Sequence, residues 1–118
     1  MLLLMAALSC LATDGDTLRC GSERVRLVGI DAPEMPGHCA SGRICVKGDP
    51  FASRDALSEA MRGKTLTIVR LGKDRYGRTI ADVRADGKSL SCAQIKAGQA
   101  IYVKKWDNGQ TVARQCGE

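Results

Sequence analysis

The sequence predicts one α+β domain dominated by β-structure: a five-stranded, partly open barrel with two helices packed on it. Three observations lead there. The chain has 118 residues, fewer than the ~150 of a typical domain, so one domain over residues 1–118 is expected. Its residues are 44% apolar and 26% charged, which suits a packed core and excludes a disordered chain. Short apolar and β-branched runs, divided by turn signals, follow the order β-β-β-α-β-β-α-β.

Met1–Leu8 is apolar, but no Lys or Arg precedes it, and the first positive charge is Arg19. Residues 1–9 are expected to be an export-signal remnant that runs into a first strand over Met5–Thr13; the run is too short to span a bilayer as a helix. Asp14-Gly15-Asp16-Thr17 is a hairpin turn to the second strand, because Asp-Gly tolerates the positive φ of tight turns. Arg24–Ile30 reads as the third strand. Val25 and Leu27 then face one way, and Arg26, Val28 and Ile30 the other. An arginine on an apolar face needs an anionic partner. Pro33 ends that strand, and Met35–Gly48 is a loop.

Asp49-Pro50 opens a helix, with Asp49 as cap and Pro50 in the first turn. Its inner face is Ala52, Ala56, Leu57, Ala60 and Met61, and Gly63 ends it. Thr65–Leu71 is a strand, Gly72–Arg78 a charged loop and Thr79–Arg84 a strand followed by an Asp86-Gly87 turn. Ser91 and Gln94 form a capping-box pattern for a short helix ending at Gly98, and Gln99–Trp106 is the last strand.

Six cysteines in so short a chain read as a disulfide framework formed in an oxidising compartment, so a secreted or periplasmic protein is expected. Zinc would want a close C-x2-C pair, and the nearest pair here, Cys39 and Cys45, has five residues between. Six cysteines allow 15 connectivities. The expected set is Cys39–Cys45 as a loop staple, Cys10–Cys20 across the hairpin and Cys92–Cys116 by elimination. The lone histidine, His38, excludes mechanisms that need two, and it is expected to be solvated on its loop.

Lys plus Arg exceed Asp plus Glu by five, so a polyanionic partner is expected. Four aromatic residues are too few for a surface that stacks many bases. Asp14 and Asp16 lie in the first turn, Asp31 and Glu34 at the exit of the third strand. Meander pairing could gather these carboxylates at one rim, where an all-oxygen set suits a hard cation. Arg26 and Arg78 stand beside them in sequence or loop position. Carboxylates, a cation and two guanidinium forks are the groups that phosphodiester hydrolysis requires.

Asp14-Gly15-Asp16-Thr17, Arg26 to Glu34 (Arg-Leu-Val-Gly-Ile-Asp-Ala-Pro-Glu) and Asp74-Arg75-Tyr76-Gly77-Arg78 occur in that order. Over roughly residues 10–106 this resembles the staphylococcal nuclease-like (thermonuclease) family. The resemblance implies an OB-fold endonuclease that uses Ca2+, hydrolyses DNA and RNA at the bond between phosphorus and the 5′ oxygen, and leaves 3′-phosphate ends. By motif position Asp16 and Asp31 resemble the direct metal ligands, with the Ala32 backbone carbonyl as a third. Glu34 resembles the residue that activates or positions water, and Arg26 and Arg78 the two that hold the scissile phosphate. Asp14 resembles an acidic neighbour of the metal, and Tyr76 a tyrosine on a terminal phosphate.

The sequence departs from the family in two places. The third family helix is truncated to whatever Asp107–Glu118 can form. Lys104 stands where a base-stacking tyrosine is usual, with Tyr102 or Trp106 as substitutes. Arg43 and Lys47 are expected on a surface patch that tracks the phosphate backbone. The expected partners are DNA and RNA substrates, with no protein partner, no membrane span and a monomeric state. The rival readings are a catalytically silent OB-fold nucleic-acid-binding module and a disulfide-rich secreted binding protein.

Overall fold

The computed structural model describes residues 9–116. The expectation for an export remnant falls on residues 1–8 and so lies outside them. In chain order the elements are β1 (Cys10–Asp14), β2 (Thr17–Cys20), β3 (Glu23–Leu27), β4 (Ile30–Asp31), α1 (Pro50–Met61), β5 (Leu66–Lys73), β6 (Thr79–Ala85), β7 (Lys88–Ser89), α2 (Leu90–Lys96), β8 (Ile101–Tyr102) and α3 (Thr111–Gln115). The α+β class dominated by sheet is as expected. Five strands form one path, β1-β2-β3-β6-β5, with β7 added to β6, and β4 pairs separately with β8. The main sheet is open, antiparallel except where β3 runs parallel to β6. No helix among the described residues is long and apolar enough to cross a membrane.

The β1–β2 hairpin forms about Gly15-Asp16 and sets Cys10 directly opposite Cys20, where the two are bonded. Cys39–Cys45 and Cys92–Cys116 are the other two bonds, so the expected connectivity holds throughout. Asp49 caps α1 by accepting from the Phe51 and Ala52 amides at 2.9 and 3.3 Å. The helix then buries Leu57 and Met61 against Leu18, Val25, Leu27, Ala81 and Val83 of the sheet. Asp86 and Gly87, both at positive φ, make the tight turn expected between β6 and β7.

Four elements differ from the expectations. The strand over Arg24–Ile30 is divided: β3 stops at Leu27, Val28-Gly29 turns, and β4 resumes at Ile30. Gly29 has φ of +75°, and a Cβ there would lie 2.9 Å from Val112 Cγ2, so two constraints ask for glycine. The turn returns Ile30 to the main core, while Val28 joins Cys92 and Val112 in a second cluster. Val28 and Ile30 therefore do not share a face, as unbroken alternation implied.

The α2 cap is Ser89, whose hydroxyl accepts from the Cys92 amide at 3.1 Å; it is not the Ser91–Gln94 box. Both of those side chains face inward: the Ser91 hydroxyl donates to the Val28 carbonyl at 2.8 Å. The strand expected over Gln99–Trp106 shortens to Ile101–Tyr102, followed by a 3-10 turn at Lys104–Trp106 and a tight turn at Asn108–Gln110 in which Gly109 and Gln110 both have positive φ. A short third helix, α3, follows. Asp107 makes it possible: its carboxylate accepts from the Val112 and Ala113 amides and from the Tyr102 hydroxyl, at 2.9, 3.0 and 2.7 Å. The Cys92–Cys116 bond then ties α3 to α2.

Candidate active site

The site begins with a buried amide. Gln94 on α2 is 1% exposed, and its side-chain nitrogen donates to the Gly15 carbonyl at 2.8 Å and the Ser53 carbonyl at 2.9 Å. The Ser53 hydroxyl on α1 donates to the Gln99 carbonyl at 2.6 Å. One polar knot thus fastens the β1–β2 turn to both helices. Buried polar groups cost free energy unless satisfied, so each partner holds the others in place. The approach is close enough that a Cβ on Gly15 would lie 1.8 Å from Ser53 Oγ.

That turn presents Asp14 and Asp16. Asp16 is buried; its Oδ1 accepts from the Thr17 hydroxyl at 2.9 Å and its Oδ2 from the Ala32 amide at 2.9 Å. The second bond joins the hairpin to the segment after β4, which carries Asp31, Ala32 and Glu34. Arg26 sits between the two: Nη1 is 3.4 Å from Asp16 Oδ2 and Nη2 is 3.7 Å from Asp31 Oδ1. Nη1 also donates to the Ile30 carbonyl at 3.0 Å, and the guanidinium lies 5.5 Å from the Trp106 ring centroid. The anionic partner that a half-buried arginine requires is therefore this carboxylate pair.

Arg43 comes from the Cys39–Cys45 loop and turns inward. Its Nη2 is 3.1 Å from Asp31 Oδ2 and its Nη1 3.2 Å from Glu34 Oε1. It does not belong to an outward patch with Lys47, because two half-desolvated carboxylates draw it in. On the far wall Asp74 organises its own loop, accepting from the Tyr76 and Arg78 amides at 2.9 Å each and from Arg78 Nε at 2.7 Å. Arg78 lies over the Tyr76 ring, 5.5 Å from its centroid. These walls enclose a cleft of about 720 Å³ lined by Asp14, Asp16, Arg26, Glu34, Arg43, Tyr76, Arg78 and Trp106, among others.

Three carboxyls at the cleft are raised even with basic side chains beside them. Burial, then the neighbouring Asp16, pushes the Asp14 carboxyl up to about 7. Burial and the same aspartate raise Asp31 and Glu34 above the ordinary carboxylate range, against the opposing pull of Arg26 and Arg43. Asp74 is the opposite case. Its partial burial is outweighed by hydrogen bonds from Arg78 and Tyr76, which hold its carboxyl low.

Among the described residues three buried carboxylate oxygens have no hydrogen-bond partner, and two of them, Asp14 Oδ1 and Asp31 Oδ1, belong to this site, the third being Asp82 Oδ1. Orphaned acceptors and mutually raised carboxylates are what a hard cation would relieve, so the residues fit Ca2+. No group of three or more His, Cys, Asp or Glu side chains among the described residues stands ready as a metal cage. A cation here would take Asp16, Asp31 and a carbonyl such as that of Ala32, and complete its shell with water.

Of the candidate residues, Asp14, Asp16, Arg26, Glu34, Tyr76 and Arg78 line the cleft, while Asp31 and Ala32 border it through Arg26, Arg43 and Asp16. His38 is exposed on its loop, as expected. Lys104 is exposed too, and Trp106 rather than Tyr102 faces the cleft, since the Tyr102 hydroxyl is taken by Asp107. Sequence reasoning missed Gln94, Ser53, Asp74 and Arg43 as parts of the site. Asp74 carried a signal: an aspartate two residues before Tyr76 in a Gly-containing turn is an Asx-turn pattern.

Residues 24–116 match the family described as Staphylococcal nuclease homologue. An "Uncharacterized endonuclease" of Haemophilus influenzae is 34% identical over 103 residues, which cover 81% of this chain and 51% of that protein. An "Uncharacterized endonuclease" of Escherichia coli is 36% identical over 99 residues, covering 80% and 58%. A "Staphylococcal-like nuclease CAN1" of Arabidopsis thaliana is 31% identical over 93 residues, covering 77% and 25%. The chain spans about half the length of the bacterial relatives it matches.

Proposed function

Since the chain belongs to the staphylococcal nuclease homologue family, we propose that it is a Ca2+-dependent endonuclease that hydrolyses DNA and RNA and leaves 3′-phosphate ends. The observation that carries this reading is the convergence of Asp16, Glu34, Arg26 and Arg78 on one cleft, from segments up to 62 residues apart in the chain (78 − 16). Asp16, Asp31 and the Ala32 carbonyl are the groups that would hold the cation. When bound, Ca2+ supplies neutralisation of the charge that builds on the phosphoryl oxygens.

The chain's own residues do the rest. Among the described residues Arg78 has only its Nε engaged, by Asp74, which leaves its two Nη nitrogens for a substrate phosphate. Arg26 approaches from the other wall, oriented by the Ile30 carbonyl and the Trp106 ring. Two forks on one phosphate stabilise its charge most in the transition state, where that charge is greatest. Glu34 orients a water for in-line attack and takes its proton, a task that its raised proton affinity favours. The bond from phosphorus to the 5′ oxygen breaks, and the departing oxygen takes up a proton.

Tyr76 serves as a contact to a terminal phosphate, and Asp14 supports the metal side. Three disulfides favour a secreted or periplasmic setting. The test is degradation of plasmid DNA and of RNA with added Ca2+, repeated with chelator and with Arg78→Ala. Cleavage should appear only with Ca2+ and fall by about 10²–10³ in the variant. Binding without cleavage would leave the chain as a silent nucleic-acid-binding module.

A further inference from the structure

We propose that Arg43 is a tethered internal cation that occupies the metal side of the site and must be displaced before a divalent ion can bind, so that it sets the ion affinity of the cleft. This inference rests on the metal-binding reading above and concerns a residue that reading does not use. The guanidinium places one nitrogen on each of two carboxylates, at 3.1 Å from Asp31 Oδ2 and 3.2 Å from Glu34 Oε1. A fork spread across two acids, rather than paired with one, does locally what a divalent cation does: it cancels the repulsion between them.

Asp31 divides its two oxygens accordingly. Oδ2 is engaged by Arg43, while Oδ1 is buried without a hydrogen-bond partner, 3.7 Å from Arg26. The aspartate side chain is 9% exposed, so it has little water to fall back on when Arg43 leaves. The Arg43 side chain, by contrast, is 40% exposed and free to swing into solvent or onto a bound phosphate within the same cleft.

The covalent ring is what makes Arg43 an effective competitor. Cys39 and Cys45 close six residues of chain separation around it, and the Arg43 amide donates to the Ala40 carbonyl inside that ring at 3.1 Å. Shortening the search of a side chain raises its effective concentration at its target. An open loop would keep the same charge nearby and hold it on Asp31 and Glu34 for less of the time.

Calorimetric titration of the intact oxidised chain with CaCl2 tests this, with no nucleic acid present. Arg43→Gln should tighten Ca2+ binding about three- to ten-fold, the size expected when partly exposed ion pairs stop competing. A Cys39→Ser/Cys45→Ser variant retains Arg43 and should also tighten binding, by a smaller factor. Lys47→Gln removes a charge from the same loop that makes no ion pair among the described residues, and should leave the affinity within about 1.5-fold, as expected for a screened charge. Tightening by Arg43→Gln and Lys47→Gln alike would reduce the effect to net charge and overturn the proposal. Weaker binding in Arg43→Gln would also overturn it, and would mean that the arginine helps to position Asp31. Ca2+ binding in the parent chain that is unchanged by Arg43→Gln overturns this inference alone. Absence of binding that Asp31→Asn can abolish overturns both it and the metal reading on which it rests.

Discussion

Gly15→Ala is the sharpest test of how the site is held. The added methyl would lie 1.8 Å from Ser53 Oγ, 2.8 Å from Ser53 Cβ and 2.9 Å from Ala32 Cβ. None of these neighbours can retreat cheaply. Ser53 is held through its hydroxyl to Gln99 and its carbonyl to Gln94, and Ala32 donates its amide to Asp16. The methyl must therefore push the hairpin turn off α1. Overpacking of this kind costs about 1–3 kcal/mol, and loss of one hydrogen bond in the knot adds about 1 kcal/mol. Gly15 is not at positive φ, so the alanine recovers about 0.5–1 kcal/mol from a stiffer unfolded chain. The net loss is about 1–3 kcal/mol, or roughly 4–12 °C in Tm for a chain of this size. Urea unfolding of the oxidised protein, followed by circular dichroism, measures it. In a Ser53→Ala background the same substitution should cost about 1 kcal/mol less, because the nearest clashing atom is gone. A Gly15→Ala protein within about 0.5 kcal/mol of the parent would refute the reasoning, since that is the scale of an unremarkable surface change.

Arg78→Ala should lower kcat by about 10²–10³ while leaving the urea midpoint nearly unchanged, because the side chain is bonded only to its own loop; near-normal turnover would remove it from the mechanism. Asp14→Asn should stabilise the chelated protein at pH 8 relative to pH 4. Burial and Asp16 raise the folded carboxyl to about 7 against an unfolded 3.8, so stability from the retained proton is full below pH about 4 and lost as pH rises through about 7. Discounted for partial exposure, the gain of the variant over that window is about 1–2 kcal/mol, and a difference that stays flat from pH 4 to pH 8 would contradict it. The Cys92–Cys116 bond closes a sequence separation of 24. Chain entropy values that closure at about 3.5 kcal/mol, so a Cys92→Ser/Cys116→Ser protein should show a comparable loss in urea. Substrate binding should weaken steeply with added salt through phosphate contacts, and an affinity indifferent to salt would oppose a polyanionic ligand.

Where a signal was local, the sequence was readable. The Asp14-Gly15 turn put Cys10 opposite Cys20, Asp49-Pro50 started α1, and Asp86-Gly87 closed a hairpin. The carboxylates and arginines of the cleft were legible because three motifs lie at turns and strand ends, where side chains are delivered to a rim. What escaped depended on contacts distant in the chain. The break between β3 and β4 falls at Gly29, at positive φ and hard against Val112, more than 80 residues away in sequence (112 − 29). Ser91 and Gln94 carried a capping pattern, yet Ser89 took the cap, because the first two found buried carbonyls at Val28, Gly15 and Ser53. Arg43 read as a surface charge because nothing in its own loop reveals the two acids it meets. The helix α3 was invisible for the same reason: five residues make a marginal helix, and this one has Asp107 accepting from two of its first amides and a disulfide at its end.

The knot at Gln94 fixes one corner of the receptacle that the proposed cation would meet. Calcium loops that stay slack until loaded can wrap themselves around ions of several radii. Here the corner bearing Asp16 is moored from beneath by the buried Gln94 amide, so the place of that carboxylate is set before anything arrives. Were a cation to bind as proposed, this corner would offer it an oxygen in a fixed place, and the fit to its radius would fall to the other donors and to water.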